Sequence, residues 1–168
     1  MTRAVTTPRL RLRPLVASDL PAYQRLLADP QLAAANGSPA DASPDLLARW
    51  FAADRQSPYT FAVLARTTGE FLGTILYYAH ATAPGDPVAY DLGYFLTPTA
   101  WGRGLMPEAV AASLTVVRAA PGPQVVWADC LATNQRSRRV LEKLGFRRTT
   151  GDEPVVVPAR DYFYLKLD

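Results

Sequence analysis

The chain has 168 residues, of which 49% are hydrophobic and 20% are charged, and its net charge is +3. This length predicts a single domain over residues 1–168, no apolar run approaches the roughly 20 residues of a membrane span, and the one cysteine excludes an internal disulfide. The basic residues are scattered among acids rather than gathered in a tract, and one histidine with one cysteine cannot form a Cys/His zinc site. We therefore expect a cytoplasmic protein that binds no metal, no nucleic acid and no membrane.

The first quarter of the chain predicts one strand and two helices. Arginine and leucine alternate over residues 9–14, which is the period-2 pattern of a half-buried strand. One helix over 18–29 can begin at Ser18 or Asp19, and another can begin at Ser43 or Asp45 and continue to residue 53. The segment 30–44 between them is rich in Ala, Gly, Ser and Pro and is interpreted as a loop that can contain a turn of helix. The predicted apolar faces of the two helices contain Leu20, Tyr23, Leu26, Leu27, Leu46, Leu47, Trp50 and Phe51.

The rest of the chain predicts mainly strands, with two further helices. A hairpin joins strands 60–65 and 71–79 through the turn 67–70, and loop 81–87 leads to a strand over 89–96. The remaining predicted elements are a helix over 107–118, a strand over 125–130, a helix over 135–144 and strands over 146–150 and 162–167. The segment 151–158 joins the last two strands as a loop. Neighbouring hairpins with one helical crossover indicate one sheet covered by helices, in the α/β or α+β class.

The segment 91–109 is the most informative part of the chain. A strand of aromatic and aliphatic residues ends at Pro98, and a short loop with Gly102 and Gly104 leads to a helix that has Pro107 in its first turn. Glycines let backbone N–H groups approach a ligand closely, and the N-terminus of a helix favours negative charge. The pattern therefore predicts a phosphate site, although a Gly-Arg-Gly sequence can also be a simple turn.

Two common phosphate motifs do not fit this loop. A P-loop requires a lysine directly after the second glycine, and no lysine follows Gly104. A dinucleotide-binding loop requires a third glycine, where this chain has Pro107 and Ala109.

A second motif follows the apolar run at 125–130. Asn134 or Thr133 can cap a helix whose apolar face recurs at helical spacing. Gly145 suits the left-handed position just after the end of that helix, and Phe146 can fold back onto its last turn.

Together these motifs resemble the GNAT acetyltransferase superfamily, and within it the RimJ/RimL-like branch. The resemblance covers nearly the whole chain and rests on four pieces in the family's order. These pieces are Thr7–Leu15 before Ser18-Asp19, Asp91-Leu92-Gly93-Tyr94, Pro98 through Gly104, and Asn134-x-x-Ser137 followed by Leu144-Gly145-Phe146.

The resemblance implies a GNAT-like α/β (α+β) fold, with a mixed, mostly antiparallel sheet of about seven strands and about four helices. It implies transfer of an acetyl group from acetyl-CoA to a primary amine, on a protein N-terminus or a small molecule, by direct attack in a ternary complex. It also suggests a homodimer. Many members carry a tyrosine acid where this chain has Leu141. A catalytically silent acyl-CoA-binding sensor or scaffold is therefore the alternative.

The resemblance also implies which residues hold the cosubstrate. The glycine loop would bind the pyrophosphate, and the strand before it would bind the pantetheine arm and supply a main-chain N–H to the thioester oxygen. This mode requires the strands that end at Leu96 and Cys130 to diverge. The implied acetyl-CoA contacts are Tyr94, Phe95, Leu96, Trp101, Gly102, Arg103, Gly104, Leu105, Met106, Asn134 and Ser137.

Two residues are the implied catalytic pair. Asp91 occupies the acidic position of the family strand and is the candidate base, acting through a water because its side chain is short; alternatively it pairs with an arginine. Ser137 would hydrogen-bond to the departing thiolate and relay a proton, or it is an ordinary first-turn serine. Asn134 can serve as a helix cap instead of a cosubstrate contact.

Further residues allow either a functional or a structural reading. His80 could act as a base but is more often structural, and Cys130 is interpreted as an inert buried thiol. The cations Arg136, Arg138, Arg139 and Lys143 can meet a 3′-phosphate or form a solvated helix face. The acceptor is expected to contact the irregular segments 28–42, 78–87 and 151–160.

Overall fold

Eight strands form one continuous sheet in the computed structural model, which describes residues 4–81, 83–149 and 159–167. The strands are β1 (Val5–Thr6), β2 (Leu10–Arg13), β3 (Phe61–Ala65), β4 (Phe71–Ala79), β5 (Ala89–Leu96), β6 (Val125–Leu131), β7 (Arg147–Arg148) and β8 (Arg160–Lys166). Their order across the sheet is β1-β2-β3-β4-β5-β6-β8-β7. All neighbours are antiparallel except β5 and β6, which are parallel. The expected mixed, mostly antiparallel fold is confirmed.

Five α-helices cover this sheet in the described part of the chain. They are α1 (Leu20–Leu27), α2 (Pro30–Asn36), α3 (Pro44–Asp54), α4 (Leu105–Arg118) and α5 (Gln135–Lys143). Helix α4 is the crossover that joins the parallel strands β5 and β6, as parallel neighbours require. None of the helices in the described residues is long and apolar enough to span a membrane.

The core consists of two layers on opposite faces of the sheet. On one face, side chains of β2, β3, β4, β5 and β6 pack against α4 and α5, with Val110, Leu114 and Leu141 fully buried or nearly so. On the other face, α1 and α3 pack against a smaller cluster that includes Leu64 and Phe95. Because side chains alternate along a strand, β5 contributes Leu92 and Leu96 to the first face and Phe95 to the second.

The prediction of a loop over 30–44 with a turn of helix underestimated the helix, because α2 occupies the first seven residues of this segment. The Asp29 carboxylate accepts hydrogen bonds from the N–H groups of Gln31 and Leu32, and Pro30 stands at the first helical position. Gly37 ends the helix in the left-handed conformation, with φ of 71°. Both ends therefore carry ordinary helix signals, which the Ala-rich composition obscured.

The prediction that Trp50 is buried in the core was also wrong. Its side chain is 37% exposed, and Asp54 instead turns inward from the end of α3. The O–H groups of Tyr23 and Tyr78 donate to the Asp54 carboxylate at 2.6 and 2.8 Å. Burial raises the pKa of Asp54 above its ordinary value, although these two donors act in the opposite direction.

Two helix starts differ from the prediction. Helix α4 begins at Leu105 rather than at residue 107, because Gly104 adopts the left-handed conformation and ends the loop there. At the start of α1, Asp19 makes no side-chain cap. Its carboxylate accepts two hydrogen bonds from Arg13, at 2.7 and 2.8 Å, and one from the N–H of Val16.

Candidate active site

Strands β5 and β6 separate halfway along their length. They pair from Ala89 with Val125 to Leu92 with Ala128, and their pairing ends there. Beyond this point β5 still pairs with β4 as far as Leu96. In the described structure, the edge of β5 from residue 93 to 96 thus faces a gap instead of β6. Such an edge presents main-chain groups that can bind an extended, amide-rich chain by strand-like hydrogen bonds.

The glycine loop lies at the end of this gap. Gly102 and Gly104 both have left-handed backbones, with φ of 72° and 71°, and Gly104 caps α4. Among the residues that the structure describes, no side chain caps the first turn of α4, which leaves N–H groups of that turn for a ligand. The indole Nε1–H of Trp101 donates to the Leu96 carbonyl at 2.7 Å and fixes the loop against β5. Unpaired donors at a helix N-terminus favour an anion such as a pyrophosphate.

Arg9 clamps the outer side of this loop. Its guanidinium donates to the carbonyl of Arg103 at 2.7 Å and to the carbonyl of Gly104 at 3.2 Å. Its Nε–H donates to Glu108 in the first turn of α4 at 2.7 Å. Thr7 donates its hydroxyl to the same carboxylate at 2.5 Å. Because Arg9 binds two loop carbonyls, it holds the loop backbone in one orientation.

A cavity of about 260 Å³ lies between the loop, α2, β5 and α5. Nine of the eleven predicted cosubstrate residues line it, namely Tyr94, Leu96, Trp101, Gly102, Gly104, Leu105, Met106, Asn134 and Ser137. The other two lie elsewhere: Phe95 packs under α1 and α3, and Arg103 is exposed. Their main chains still belong to β5 and to the loop.

Asn134 joins α5 to α2 beside this cavity. Its Oδ1 accepts from the N–H of Ser137 at 3.1 Å, which is the predicted helix cap. Its Nδ2–H donates to the carbonyl of Ala35 at 2.9 Å and contacts Asn36 Oδ1 at 3.4 Å. Asn134 therefore positions both helices, and a cosubstrate contact stays a prediction.

Ser137 is paired with Tyr94 across the cavity wall. The phenol oxygen of Tyr94 lies 2.6 Å from Ser137 Oγ and 3.2 Å from the Ser137 carbonyl oxygen. Burial raises the pKa of Tyr94 far above its ordinary value, so the phenol is neutral. Leu141, which stands where many family members have a tyrosine, is fully buried in the core.

Cys130 is buried on β6 next to Ser137. Burial raises the pKa of the thiol, and a hydrogen bond from Ser137 offsets this only in part. A buried neutral thiol is a poor nucleophile, because the thiolate is the reactive form. This environment agrees with the interpretation of Cys130 as unreactive.

Asp91 lies on the opposite face of the sheet from Tyr94, since the two are three residues apart on one strand. Its carboxylate is 48% exposed, and its Oδ1 lies 2.8 Å from Nδ1 of His80. The partner is thus a histidine and not the arginine that was the alternative. Asp91 is still in register with Trp127 of β6, so the sheet itself lies between this pair and the cavity that contains Ser137.

The face around Asp91 is open and aromatic. The rings of His80 and Trp127 stack at 5.7 Å, and Tyr164 packs against Trp127 at 5.6 Å. Tyr78 is exposed on the neighbouring strand.

Of the three segments expected near the acceptor, 28–42 includes α2, which lines the cavity. Residues 82 and 150–158 lie outside the described residues, so most of the 151–160 segment does too.

The cations of α5 divide into two groups. Arg136 stacks on the Trp101 ring, 4.2 Å from its centroid, and Arg139 and Lys143 line the cavity. Arg138 instead pairs with the buried Asp161 of β8. Three of the four cations therefore face the cavity wall, whereas Arg138 is structural. Among the described residues, no group of three or more His, Cys, Asp and Glu side chains could hold a metal.

Three features of this site escaped the sequence prediction. They are the Arg9 clamp, the phenol of Tyr94 as partner of Ser137, and the contribution of α2 through Leu32, Ala35 and Asn36. Of these three, only α2 has a local sequence signal, which is Asp29-Pro30 at its start and Gly37 after its end. The other two depend on contacts between residues more than 40 positions apart.

Comparison with known proteins identifies this arrangement. The family described as "Acetyltransferase (GNAT) domain" matches residues 9–147. A GNAT-family acetyltransferase from Bacillus anthracis superposes with a TM-score of 0.81 at 19% identity, covering 98% of both chains. The ribosomal-protein-S5-alanine acetyltransferase from Vibrio fischeri gives 0.75 at 19% identity, covering 99% of this chain and 97% of its own. A Salmonella typhimurium acetyltransferase that modifies the N-terminal serine of ribosomal protein L7/L12 gives 0.75 at 20% identity, covering 96% and 97%. The chain belongs to the GNAT acetyltransferase family.

Proposed function

We propose that this protein is an acetyl-CoA-dependent N-acetyltransferase of the RimJ/RimL-like branch, acting on a primary amine of a protein N-terminus or a small molecule. The observation that carries the proposal is the gap between β5 and β6, which ends at a glycine loop that has no side-chain cap among the described residues. Two structural neighbours whose names describe acetylation of ribosomal proteins support the branch.

The donor substrate fits the gap as an extended chain. The loop N–H groups from Gly102 to Met106 bind the pyrophosphate, since the N–H of Trp101 already donates to the Pro98 carbonyl. The free edge of β5 binds the pantetheine arm. A main-chain N–H within residues 94–96 donates to the thioester oxygen as negative charge develops there. A donor of this kind typically lowers the barrier by about 3 kcal/mol. Arg136, Arg139 and Lys143 add positive charge along the same cavity.

The acceptor approaches from the open face that carries Asp91. An α-amine has a reference pKa near 8 and a lysine amine near 10.4, so most of either is protonated at pH 7. Asp91, through a water, accepts the proton that the amine must lose, and His80 holds its carboxylate. The neutral amine then attacks the thioester through the gap.

The transfer proceeds by direct attack, without an acyl-enzyme. Cys130 is the one cysteine of the chain, it is buried, and its raised pKa keeps it neutral. The serine of the site, Ser137, contacts Tyr94 and Cys130 but no histidine in the described structure. A serine without a base is a weak nucleophile. Both reactants must therefore be bound together.

A binding protein without catalysis is the second candidate, because Leu141 replaces the tyrosine acid of many relatives. Under either candidate, acetyl-CoA occupies the same gap. The homodimer and the cytoplasmic location stay predictions.

Calorimetric titration of acetyl-CoA into the wild type and two variants tests the cosubstrate site. Gly104→Glu places a carboxylate and a strained left-handed residue in the loop and is expected to abolish binding. Gly69→Glu makes the same change at another left-handed glycine, in the β3–β4 turn, and is expected to bind like the wild type. Equal loss in both variants, or no wild-type binding, would contradict the proposal.

A further inference from the structure

Gly93 is a glycine that the fold itself does not require. A glycine weakens a strand, and inside one it usually marks a bulge, a sharp bend or the close approach of another backbone or a ligand. Gly93 lies within β5, and its backbone is not left-handed. Strands β4 and β5 pair without a break from Tyr90 to Leu96. These observations exclude a bulge and a special turn at this position.

No described atom crowds the place where a side chain of residue 93 would lie. Apart from neighbours in the chain, a Cβ on Gly93 would have one described atom at 4.0 Å, Cε2 of Tyr78, and none nearer. By contrast, a Cβ on Gly73 would lie 2.0 Å from a carbonyl oxygen, so the packing of the sheet requires that glycine. The use of a strand glycine that remains for Gly93 is the close approach of a ligand.

Gly93 lies where the gap begins, on the face of the sheet that carries Asp91. The pairing of β5 with β6 ends at Leu92, so Gly93 is the first residue of the free edge. Alternation along the strand places Gly93 on the face of Asp91 and Phe95, whereas Tyr94 faces the donor cavity. The empty place at Gly93 therefore opens the Asp91 face toward the gap. Asp91 lies about 7 Å away along the strand, close enough for its carboxylate to act there through a water.

Two aromatic residues flank this opening on the neighbouring strands. Tyr78 lies on β4, and its ring is the neighbour of Gly93. The phenol of Tyr78 donates to Oδ1 of the buried Asp54 at 2.8 Å, which holds the ring in place. Trp127 lies on β6, in register with Asp91. Because neighbouring strands are about 4.8 Å apart, the opening is about one side chain wide.

We propose, resting on the acetyltransferase function above, that Gly93 determines which acceptors react. The acceptor nitrogen reaches the thioester through the space that a side chain at position 93 would fill. The substrate class is a primary amine with little bulk beside its nitrogen, such as an n-alkylamine or the N-terminus of a peptide that begins with a small residue. A bulkier group meets the ring of Tyr78 before its nitrogen reaches the gap.

The test adds side chains of increasing size at position 93. Gly93→Ala and Gly93→Val are compared with the wild type in acetyl-CoA Kd, by calorimetry, and in kcat/KM for the acceptor at saturating acetyl-CoA. The acceptors are two peptides that differ only in beginning with Ala or Val, and the isomers n-butylamine and sec-butylamine. Thr6→Ile is the control, since it adds bulk at an exposed position of β1, four strands from β5. The melting temperature of each variant checks folding.

A passage at Gly93 predicts a specific pattern. One methyl group of space in a binding site typically discriminates by roughly 10- to 200-fold. Gly93→Ala is therefore expected to lower kcat/KM at least about tenfold for each acceptor that the wild type uses, and Gly93→Val further. The bulkier acceptor of each pair loses more than the slender one. The Kd for acetyl-CoA stays within about twofold, because the added side chain points away from the donor cavity, and Thr6→Ile behaves like the wild type.

Other results overturn the role of Gly93. Unchanged kcat/KM in a folded Gly93→Ala variant would exclude it, and so would an equal loss for the slender and the bulky acceptor. A rise in the acetyl-CoA Kd that accounts for the whole loss would place the added side chain on the donor side. If Gly93→Val does not fold, Gly93→Ala decides alone, because it adds one methyl group in open space. By contrast, a wild type that binds acetyl-CoA but acetylates no amine would refute the proposed function itself.

Discussion

Arg9 is expected to control acetyl-CoA affinity without touching the cosubstrate. The Arg9→Gln change removes two hydrogen bonds to the carbonyls of Arg103 and Gly104 and the ion pair with Glu108. Each net hydrogen bond of this kind contributes about 1 kcal/mol, and the Arg9 side chain is 48% exposed, which weakens its ion pair. We therefore expect a total loss of about 1–2 kcal/mol in binding, or roughly a 5- to 30-fold rise in Kd.

The same change also removes the positive charge that is paired with Glu108. Glu108 lies in the first turn of α4, at the end of the helix that would receive the phosphates. Burial alone would raise the pKa of Glu108, but hydrogen bonds from Thr7 and Arg9 outweigh it and hold the pKa below its ordinary value. The carboxylate thus stays ionised near neutral pH and repels a pyrophosphate once Arg9 is gone. Adding Glu108→Gln to Arg9→Gln is expected to restore part of the affinity.

Isothermal titration with acetyl-CoA measures these effects, with the melting temperature as a check on folding. Arg11→Gln is the matched control, because the Arg11 side chain is exposed on β2 and makes no hydrogen bond or ion pair with the residues the structure describes. A Kd for Arg9→Gln within twofold of the Arg11→Gln value, in a folded protein, would refute the clamp.

Two predictions concern stability. Gly73→Ala is expected to destabilise the protein by about 3 kcal/mol in urea unfolding, because a Cβ would lie 2.0 Å from the Phe95 carbonyl oxygen. Gly93→Ala is the control and should be nearly neutral, because no atom would lie nearer than 4.0 Å to its Cβ. Similar losses of stability in the two variants would contradict the predicted clash. Asp19→Asn is expected to cost about 2 kcal/mol at pH 7, since it breaks the paired hydrogen bonds from Arg13. The pKa of Asp19 is lowered overall, so this stabilisation is present above its ordinary value of 3.8 and is lost as the pH falls through the folded value. The difference between wild type and variant should therefore shrink at pH 3, and a constant difference would exclude the ion pair as its source.

Local signals predicted much of the fold and the core of the site. Strand β5 ends at Leu96, two residues before Pro98, and Gly104 and Pro107 mark the start of α4 to within two residues. Asn134 caps α5 as its side chain predicts. These features depend on residues that are close together in the sequence, so composition and spacing were sufficient to predict them.

Contacts between distant segments could not be predicted in this way. Arg9 meets a loop 94 residues later, and the phenol of Tyr94 meets Ser137 43 residues later. The Asp91 partner depended on the register of β4 and β5, which brings His80 rather than an arginine beside the carboxylate. Such pairings follow from the sheet order and from helix placement, which no local pattern encodes.

We propose above that the gap between β5 and β6 delivers an acetyl group to an amine. The most direct test measures release of the CoA thiol from acetyl-CoA with a panel of peptides beginning with Ala or Ser and of small primary amines. We expect amine-dependent release and an acetylated product of matching mass, both lost in Gly104→Glu and retained in Gly69→Glu. Tight acetyl-CoA binding with no amine-dependent release across the panel would contradict it and would favour the binding protein instead.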